Sequence, residues 1–246
     1  MTTNGLTEHS ELSSQVERDG FAILPVCLDE SSLNQLGCAI GGEKYGQRNL
    51  LEEPIVRQLA RSNAVRTAVS SVLGSHYFAV KCTFFNKTPT ANWKVPWHQD
   101  LTITVRDRID VEGFGPWTIK DGVQNVQPPQ EILSRILAMR IHLDENDADN
   151  GPLRVIPGSH HYGRLLAPQI ANCDKNDSVT CFVPRGGALL MRPFCCMRPR
   201  QARCPRIGGL FIWNSPLKTC PAACSGIGRF RRIIPQRRSA HRATLR

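Results

Sequence analysis

The stretch Trp97-His98-Gln99-Asp100 carries the pattern from which both the fold and the chemistry can be argued. Residues two apart in a β-strand point to the same face, so His98 and Asp100 are predicted to project together. A neutral imidazole and a carboxylate make two thirds of a 2-His-1-carboxylate triad, which leaves open positions on iron(II). A single His-x-Asp pair is more often a surface or capping pair, so its interpretation depends on the sequence around it.

Short strands separated by turn residues are predicted on both sides of this stretch. They are runs of alternating or continuous apolar residues, bounded by Gly, Pro, Asn and Asp. The predicted strands are Phe21–Pro25, His76–Phe85, Leu101–Val105, Ile132–Leu143, Leu153–Ile156, Thr180–Val183 and Ala188–Met191.

Three helical patterns lie in the N-terminal third of the chain. One covers Leu12–Arg18, a second carries Leu33, Leu36 and Ile40 on one face, and a third runs over Pro54–Leu73. Helices followed by many short strands predict an α+β, mainly β protein whose body is a double-sheet jelly roll or a barrel.

A polar insertion with Gly and Pro residues, Asp107–Gln130, interrupts the strands. A loop of this length is often a lid or a binding loop. Trp117 in this segment is a candidate to line a substrate site, with a loop packed on its own aromatic residue as the alternative.

The positive charge of the chain is confined to its C-terminal fifth. The protein has 246 residues, with 31 Lys and Arg against 21 Asp and Glu, but residues 195–246 hold eleven Arg, one Lys and no acidic residue. The preceding residues are therefore close to neutral, and the basic composition describes the tail alone. The cysteines are scattered, the N-terminal residues lack the pattern of a signal peptide, and there is no run of about 18 apolar residues. These features predict a cytoplasmic protein with no membrane partner.

Several further motifs follow the Trp-His-Gln-Asp stretch in a definite order. They are Asn150-Gly151-Pro152-Leu153, Pro157-Gly158-Ser159-His160 and Gly186-Gly187-Ala188 leading into Met191-Arg192-Pro193, with Asp19-Gly20-Phe21 near the start. With these motifs the chain resembles the phytanoyl-CoA dioxygenase family of iron(II)- and 2-oxoglutarate-dependent oxygenases over about residues 15–193. Several ordered motifs are far more specific than any one of them.

The resemblance implies a cupin-like double-stranded β-helix with flanking N-terminal helices. It implies that His98 and Asp100 bind Fe(2+), that 2-oxoglutarate is the cosubstrate, with ascorbate as an accessory reductant, and that a small organic molecule is hydroxylated with O2. It also implies a second metal-binding His after the Gly-Gly strand, followed by an Arg that holds the far carboxylate of 2-oxoglutarate. An Arg suits that task because its planar guanidinium binds a carboxylate in a bidentate manner.

Other residues are weaker candidates for the site. Arg140 and Lys87 are candidates to bind the cosubstrate, and Trp93 is a candidate to line the substrate site. A surface salt bridge for Arg140 and a solvated loop around Lys87 and Trp93 remain open as alternatives. His142 shares the strand face of Arg140 and is more simply a structural histidine.

The chain departs from the family pattern directly after Pro193. Phe194-Cys195-Cys196-Met197-Arg198 stands where the second His is expected, and the only later histidine is His241. If the sequence is taken as written, the distal His and the 2-oxoglutarate-binding Arg are missing, and activity is predicted to be impaired. The alternative function is a non-catalytic jelly-roll relative. Residues 1–193 are thus predicted to form the oxygenase domain, incomplete at its end, and residues 194–246 a basic Arg-, Cys- and Pro-rich tail that is disordered or out of frame.

Back-translation suggests a reason for this departure. Read one base earlier, the codons of Cys195-Cys196-Met197-Arg198 permit Leu-Leu-His-Ala, and those of residues 206–215 permit Arg-Arg-Val-Ile-His-Leu-Glu-Phe. Both resemble what the family has at these places. We therefore hypothesise that the chain is translated out of frame from about residue 194; sequencing of the coding DNA tests this.

Two other interpretations of the tail are weaker. Cys204, Cys220, Cys224 and His241 are zinc-ligand types, but their spacing is irregular. The Arg-rich end would suit an acidic partner, but out-of-frame reading of GC-rich DNA also yields Arg, so a nucleic-acid partner is not expected. The sequence indicates no oligomeric state.

Overall fold

The computed structural model describes residues 3–40, 46–86, 95–203 and 208–216. The helices are α1 Thr3–Asp19, α2 Glu30–Ile40, α3 Pro54–Ala60, α4 Asn63–Leu73, α5 Gln130–Leu133 and α6 Ala167–Asn172. The strands are β1 Phe21–Leu24, β2 Gly46–Gln47, β3 Tyr77–Phe85, β4 Ile103–Thr104, β5 Trp117–Lys120, β6 Val123–Val126, β7 Leu137–His142, β8 Leu153–Val155, β9 Val179–Cys181, β10 Ala188–Met191, β11 Met197–Pro199 and β12 Gly209–Pro216.

A six-stranded antiparallel sheet, in the order β1-β10-β7-β12-β3-β2, forms the centre of the protein. Two three-stranded antiparallel sheets, β11-β8-β9 and β4-β6-β5, complete the β structure. Apart from β2 and β3, neighbours in the large sheet are non-consecutive strands, as in a jelly roll, and the predicted fold class is confirmed.

Both faces of the large sheet are buried, which explains its apolar strands. Leu137, Met139 and Ile141 of β7 pack in the core shared with α1 to α4. The alternate positions of β7 point to the other face, where Ala138 joins the core formed with the two small sheets. Arg140 and His142 therefore occupy interior positions between the sheets, because successive strand residues alternate in direction.

The predicted helix over Pro54–Leu73 is wrong in one respect, since the structure divides it into α3 and α4. Ser62 has an extended backbone, and its hydroxyl accepts a hydrogen bond from the Val65 amide at 3.4 Å. A serine in this position is a preferred N-cap and starts a new helix. The apolar spacing continues across the break, so the pattern alone gives no sign of it.

The predicted loop over Asp107–Gln130 contains a β-hairpin, β5 and β6. Its two-residue turn, Asp121-Gly122, has positive φ at both positions. Asp-Gly is a preferred pair for such a turn because glycine, and to a lesser extent aspartate, tolerates this backbone conformation. The hairpin was missed because half of its strand residues are polar and β5 is largely exposed, so no apolar run marks the two strands.

The prediction of disorder from residue 194 is wrong for residues 194–203 and 208–216. Cys195 and Cys196 are fully buried, β11 pairs with β8, and β12 lies between β7 and β3. The physical reason is the apolar run at 210–213, which fits a strand buried on both faces. The Arg-rich composition that suggested disorder belongs mostly to residues 217–246, which lie outside the described residues.

Candidate active site

A cavity of about 290 Å³ opens between the large sheet and the small sheets. His98, Asp100, Arg140 and His142 all line it. The residues predicted from the Trp-His-Gln-Asp stretch and from β7 are thus brought to one place. They come from chain segments about forty residues apart, and only the sheet packing makes them neighbours.

The short segment that carries His98 and Asp100 has the alternation expected of a strand. Gln99, between them, is buried on the opposite side, where its amide nitrogen donates to the carbonyl oxygens of Gly163 at 2.8 Å and Phe194 at 2.7 Å. Its Oε1 accepts a hydrogen bond from the Leu165 amide at 2.9 Å. These three bonds anchor the segment, so that the two flanking side chains face the cavity.

His98 is held in one tautomer. Its Nδ1 lies 2.9 Å from the carbonyl oxygen of Pro96. A carbonyl oxygen only accepts, so Nδ1 acts as the donor, and in the neutral ring the lone pair is on Nε2. This arrangement is typical of metal-binding histidines, whose second nitrogen donates to a carbonyl or a carboxylate.

Met197 lies directly opposite His98. The two residues form an antiparallel bridge in which His98 N donates to Met197 O and Met197 N donates to His98 O, both at 2.9 Å. Residues opposite each other in such a pair share a face, and Met197 lines the same cavity as His98 and Asp100. Within the part of the chain that the structure describes, no group of three His, Cys, Asp or Glu residues is placed to hold a metal.

Arg140 is a buried cation that lacks a carboxylate partner among the described residues. Its side chain is 8% exposed, and its Nε has no hydrogen-bond partner there. The guanidinium lies 4.9 Å from the ring centroid of Phe211, the residue opposite it on β12. Burial lowers the pKa of Arg140 to about 10, so it stays charged at neutral pH, and the surface salt bridge that the sequence left open is excluded.

His142 is also unsatisfied among the described residues. It is 3% exposed, and its Nε2 has no hydrogen-bond partner there. Burial, and then the positive charge of Arg140, hold the pKa of His142 well below its ordinary value of 6.5. His142 is therefore neutral near pH 7.

A family model described as phytanoyl-CoA dioxygenase (PhyH) matches residues 41–195. The chain belongs to the phytanoyl-CoA dioxygenase family. The resemblance on which the sequence analysis relied is therefore confirmed, and with it the assignment to iron(II)- and 2-oxoglutarate-dependent oxygenases as a class.

Individual known proteins are also similar to parts of this chain. The ectoine dioxygenase of Bordetella bronchiseptica is 26% identical over 107 residues, which are 44% of this chain and 28% of that protein. The crystal structure of EctD from S. alaskensis with bound Fe has a TM-score of 0.64 at 19% identity, over 85% of this chain and 77% of that one. HygX from Streptomyces hygroscopicus with nickel and 2-oxoglutarate bound has a TM-score of 0.60 at 16% identity, over 88% and 87%. At these identities the structural matches support the fold alone.

The remaining predicted residues are not brought to the cavity. Lys87 and Trp93 lie outside the described residues, as do the cysteines and His241 of the zinc alternative. Trp117 is not among the cavity-lining residues; its ring packs against the inner core and lies 5.5 Å from the guanidinium of Arg108. Among the described residues, no helix has both the length and the hydropathy needed to cross a membrane.

Three basic residues of the cavity were not predicted from the sequence. Arg48, Lys81 and Lys120 line the cavity together with His98, Asp100, Arg140 and His142. The alternation of β3 gives a signal for Lys81, because it places this lysine in a run that is otherwise mostly apolar. Nothing in the sequence indicates that Arg48 and Lys120 lie near it.

Proposed function

We propose that this chain is an Fe(II)/2-oxoglutarate-dependent dioxygenase of a small organic substrate whose metal site is impaired. The observation that carries this proposal is the pairing of Met197 with His98 on the wall of the cavity. His98 and Asp100 are the proposed metal ligands, and Met197 is the residue that we propose stands at the place of the third.

The donor set supports only part of an iron site. The Nδ1–H···O bond to Pro96 leaves the Nε2 of His98 available, and Asp100 supplies a carboxylate oxygen on the same cavity wall. A methionine thioether is a soft ligand that suits Cu(I) better than iron(II). The residues present therefore do not complete a 2-His-1-carboxylate site, and weak iron binding follows.

Arg140 is the proposed partner of the cosubstrate. Its buried guanidinium faces the cavity without a carboxylate among the described residues, and leaving such a charge unpaired is costly. A carboxylate of 2-oxoglutarate would satisfy it. Arg140 would then take over the task of the Arg that is missing from the end of the PhyH pattern.

The reading-frame hypothesis gains support from the place of Met197. The His codon of the alternative frame consists of the last base of codon 196 and the first two bases of codon 197. That histidine would therefore stand beside His98, where a third ligand is needed. We propose in addition that the protein works in the cytoplasm, which is supported by the free state of all seven cysteines among the described residues.

The proposal is tested by Met197→His. Under anaerobic conditions with 2-oxoglutarate, we expect the variant to develop the visible charge-transfer band of an iron(II)–2-oxoglutarate complex. Its iron affinity should rise at least tenfold over wild type, a gain of about 1.4 kcal/mol, because a third protein ligand is added. Met197→Leu, which keeps the volume but adds no donor, is the matched control and should show no gain.

Other outcomes separate the components of the proposal. Equal iron affinity in wild type and Met197→His would disprove the impairment. A Met197→His protein that folds but binds no iron would rule out His98 and Asp100 as ligands. Iron binding without formation of succinate in Met197→His would favour the non-catalytic relative. Arg140→Gln should weaken 2-oxoglutarate binding in the Met197→His background.

A further inference from the structure

Three basic side chains from three different strand regions line the cavity beside the proposed metal ligands. Arg48 directly follows β2, Lys81 lies in the middle of β3, and Lys120 ends β5. Because β2 and β3 pair within the large sheet while β5 belongs to a small one, the three converge only through the packing of the sheets.

The hairpin that carries Lys120 is tied to the edge of the large sheet. Arg48 Nε donates to Asp121 Oδ2 at 2.7 Å, across 73 residues of sequence. Asp121 is in the turn directly after Lys120, so this ion pair brings Lys120 towards Arg48. The positive charges of Lys120 and Arg48 lower the pKa of Lys81, after the larger effect of burial.

Lys81 has no ion-pair partner within 4 Å among the described residues. Its Nζ donates to the Thr102 carbonyl oxygen at 3.4 Å and lies 4.4 Å from the ring centroid of Trp213. The negative charge of Asp100 raises the pKa of Lys81, and that carboxylate is the proposed metal ligand. The cation is thus held in the cavity by weak contacts.

The side chains that line the cavity carry more positive than negative charges. Arg48, Lys81, Lys120 and Arg140 are basic, whereas Asp100 is the acidic residue among the lining side chains that the structure describes, and Asp121 offsets the charge of Arg48 alone. Arg140 is assigned to the cosubstrate and Asp100 to the metal, which is itself positive. Like charges gathered in a partly buried site are unfavourable unless an anion joins them.

We propose that Arg48, Lys81 and Lys120 form a subsite for the anionic group of the organic substrate, a carboxylate or a phosphate. This inference rests on the function proposed above, since it places the substrate next to the proposed metal position. The rings of Phe211 and Trp213, stacked at 5.5 Å, line the cavity alongside and give an apolar surface for the rest of the molecule. The volume of about 290 Å³ limits the substrate to a small one.

Three probes of similar length test the subsite: hexanoate, pentyl phosphate and the neutral hexanamide. Binding to the full chain is measured by calorimetry in the presence of saturating 2-oxoglutarate. We expect at least one anion to bind at least tenfold more tightly than hexanamide, and which of the two does so identifies the group. Lys81→Gln and Lys120→Gln should each weaken that anion at least fivefold; the second variant alters an exposed side chain and is not expected to affect folding.

Arg106→Gln is the matched control, because Arg106 is exposed, pairs with Asp107 at 2.7 Å and does not line the cavity. It should leave binding unchanged. Equal binding of hexanamide, binding of no probe, or an equal loss in Arg106→Gln would overturn the subsite. Loss of anion binding in Arg140→Gln but not in Lys81→Gln would also overturn the subsite, because the anion would then occupy the position of the cosubstrate. One outcome separates the two proposals. If binding of the anion requires Lys81 but Met197→His binds neither iron nor 2-oxoglutarate, the oxygenase proposal fails and the anion subsite stands.

Discussion

The interior positions of β7 place ionisable side chains where a sheet normally carries apolar ones. Ala138 packs in the inner core, but Arg140 and His142, on the same face of the strand, reach the cavity. Both keep a buried nitrogen without a partner among the described residues. Buried polar atoms are almost always satisfied in folded proteins, so two neighbouring exceptions indicate a site prepared for a ligand.

His142 gives a prediction about pH. Its folded pKa is held below the ordinary value of 6.5, so the unfolded chain binds more protons as the pH falls through 6.5. Stability is therefore present above that value and is lost on acidification. We expect the Tm of wild type to fall between pH 7 and pH 5, and His142→Gln to reduce this fall.

The control for His142 is His76→Gln, because His76 is exposed just before β3. It should leave the slope of Tm against pH as in wild type. His160, whose pKa burial also lowers, accounts for part of the remaining slope. A slope that is the same in His142→Gln and wild type would contradict the assignment.

Among the secondary-structure elements, β12 decides whether the segment after residue 203 belongs to the fold. Leu210 and Ile212 point to the helical side of the large sheet, and Phe211 and Trp213 to the cavity side. A run that is apolar at every position, as residues 210–213 of β12 are, is typical of a sheet covered on both faces. β12 therefore belongs to the fold, although it lies beyond the point where the charge of the sequence changes.

Ile212→Ala tests the place of β12 in the core. Ile212 is fully buried, so the substitution removes buried methyl groups and leaves a cavity. We expect a loss of about 2–5 kcal/mol in the free energy of unfolding measured by urea denaturation. Ile119→Ala is the matched control, because Ile119 is 66% exposed on β5, and surface substitutions change stability by about 0.5 kcal/mol or less. Similar losses in the two variants would contradict a buried β12.

For the whole molecule, the large sheet is the shared layer between the helices and the cavity. Its outer face packs on α1 to α4, and its inner face supplies Lys81, Arg140 and Phe211 to the cavity. The site is thus built on strands that are packed from behind, which is the arrangement that holds binding groups in place.

Truncation tests this dependence on the large sheet. A chain that ends at residue 203 lacks β12, so β7 and β3 lose their common neighbour and expose unpaired edges. We expect it to lose the cooperative thermal transition, measured by circular dichroism, and to bind a hydrophobic dye. A chain that ends at residue 216 is the matched comparison and should unfold cooperatively. Cooperative unfolding of the shorter chain at the Tm of the longer one would show that β12 is dispensable.

The sequence by itself determined seven of the twelve described strands (β1, β3, β4 and β7 to β10), the family and the two proposed ligands. The apolar alternation of β3, the exact bounds of β10 and the Leu33, Leu36 and Ile40 face of α2 are local features, and local periodicity is what a sequence carries directly. The ordered motifs around His98 added the family, because each depends on residue types at short spacing.

Tertiary structure alone decided which side chains share the cavity. Met197 faces His98 because of a bridge across about a hundred residues, and Arg48 meets Lys120 through an ion pair between a sheet edge and a hairpin turn. Arg140 lies opposite Phe211 of β12, and its Nε has no hydrogen-bond partner among the described residues. Such neighbours depend on register and on the packing of sheets, and no short window of sequence contains both members of the pair.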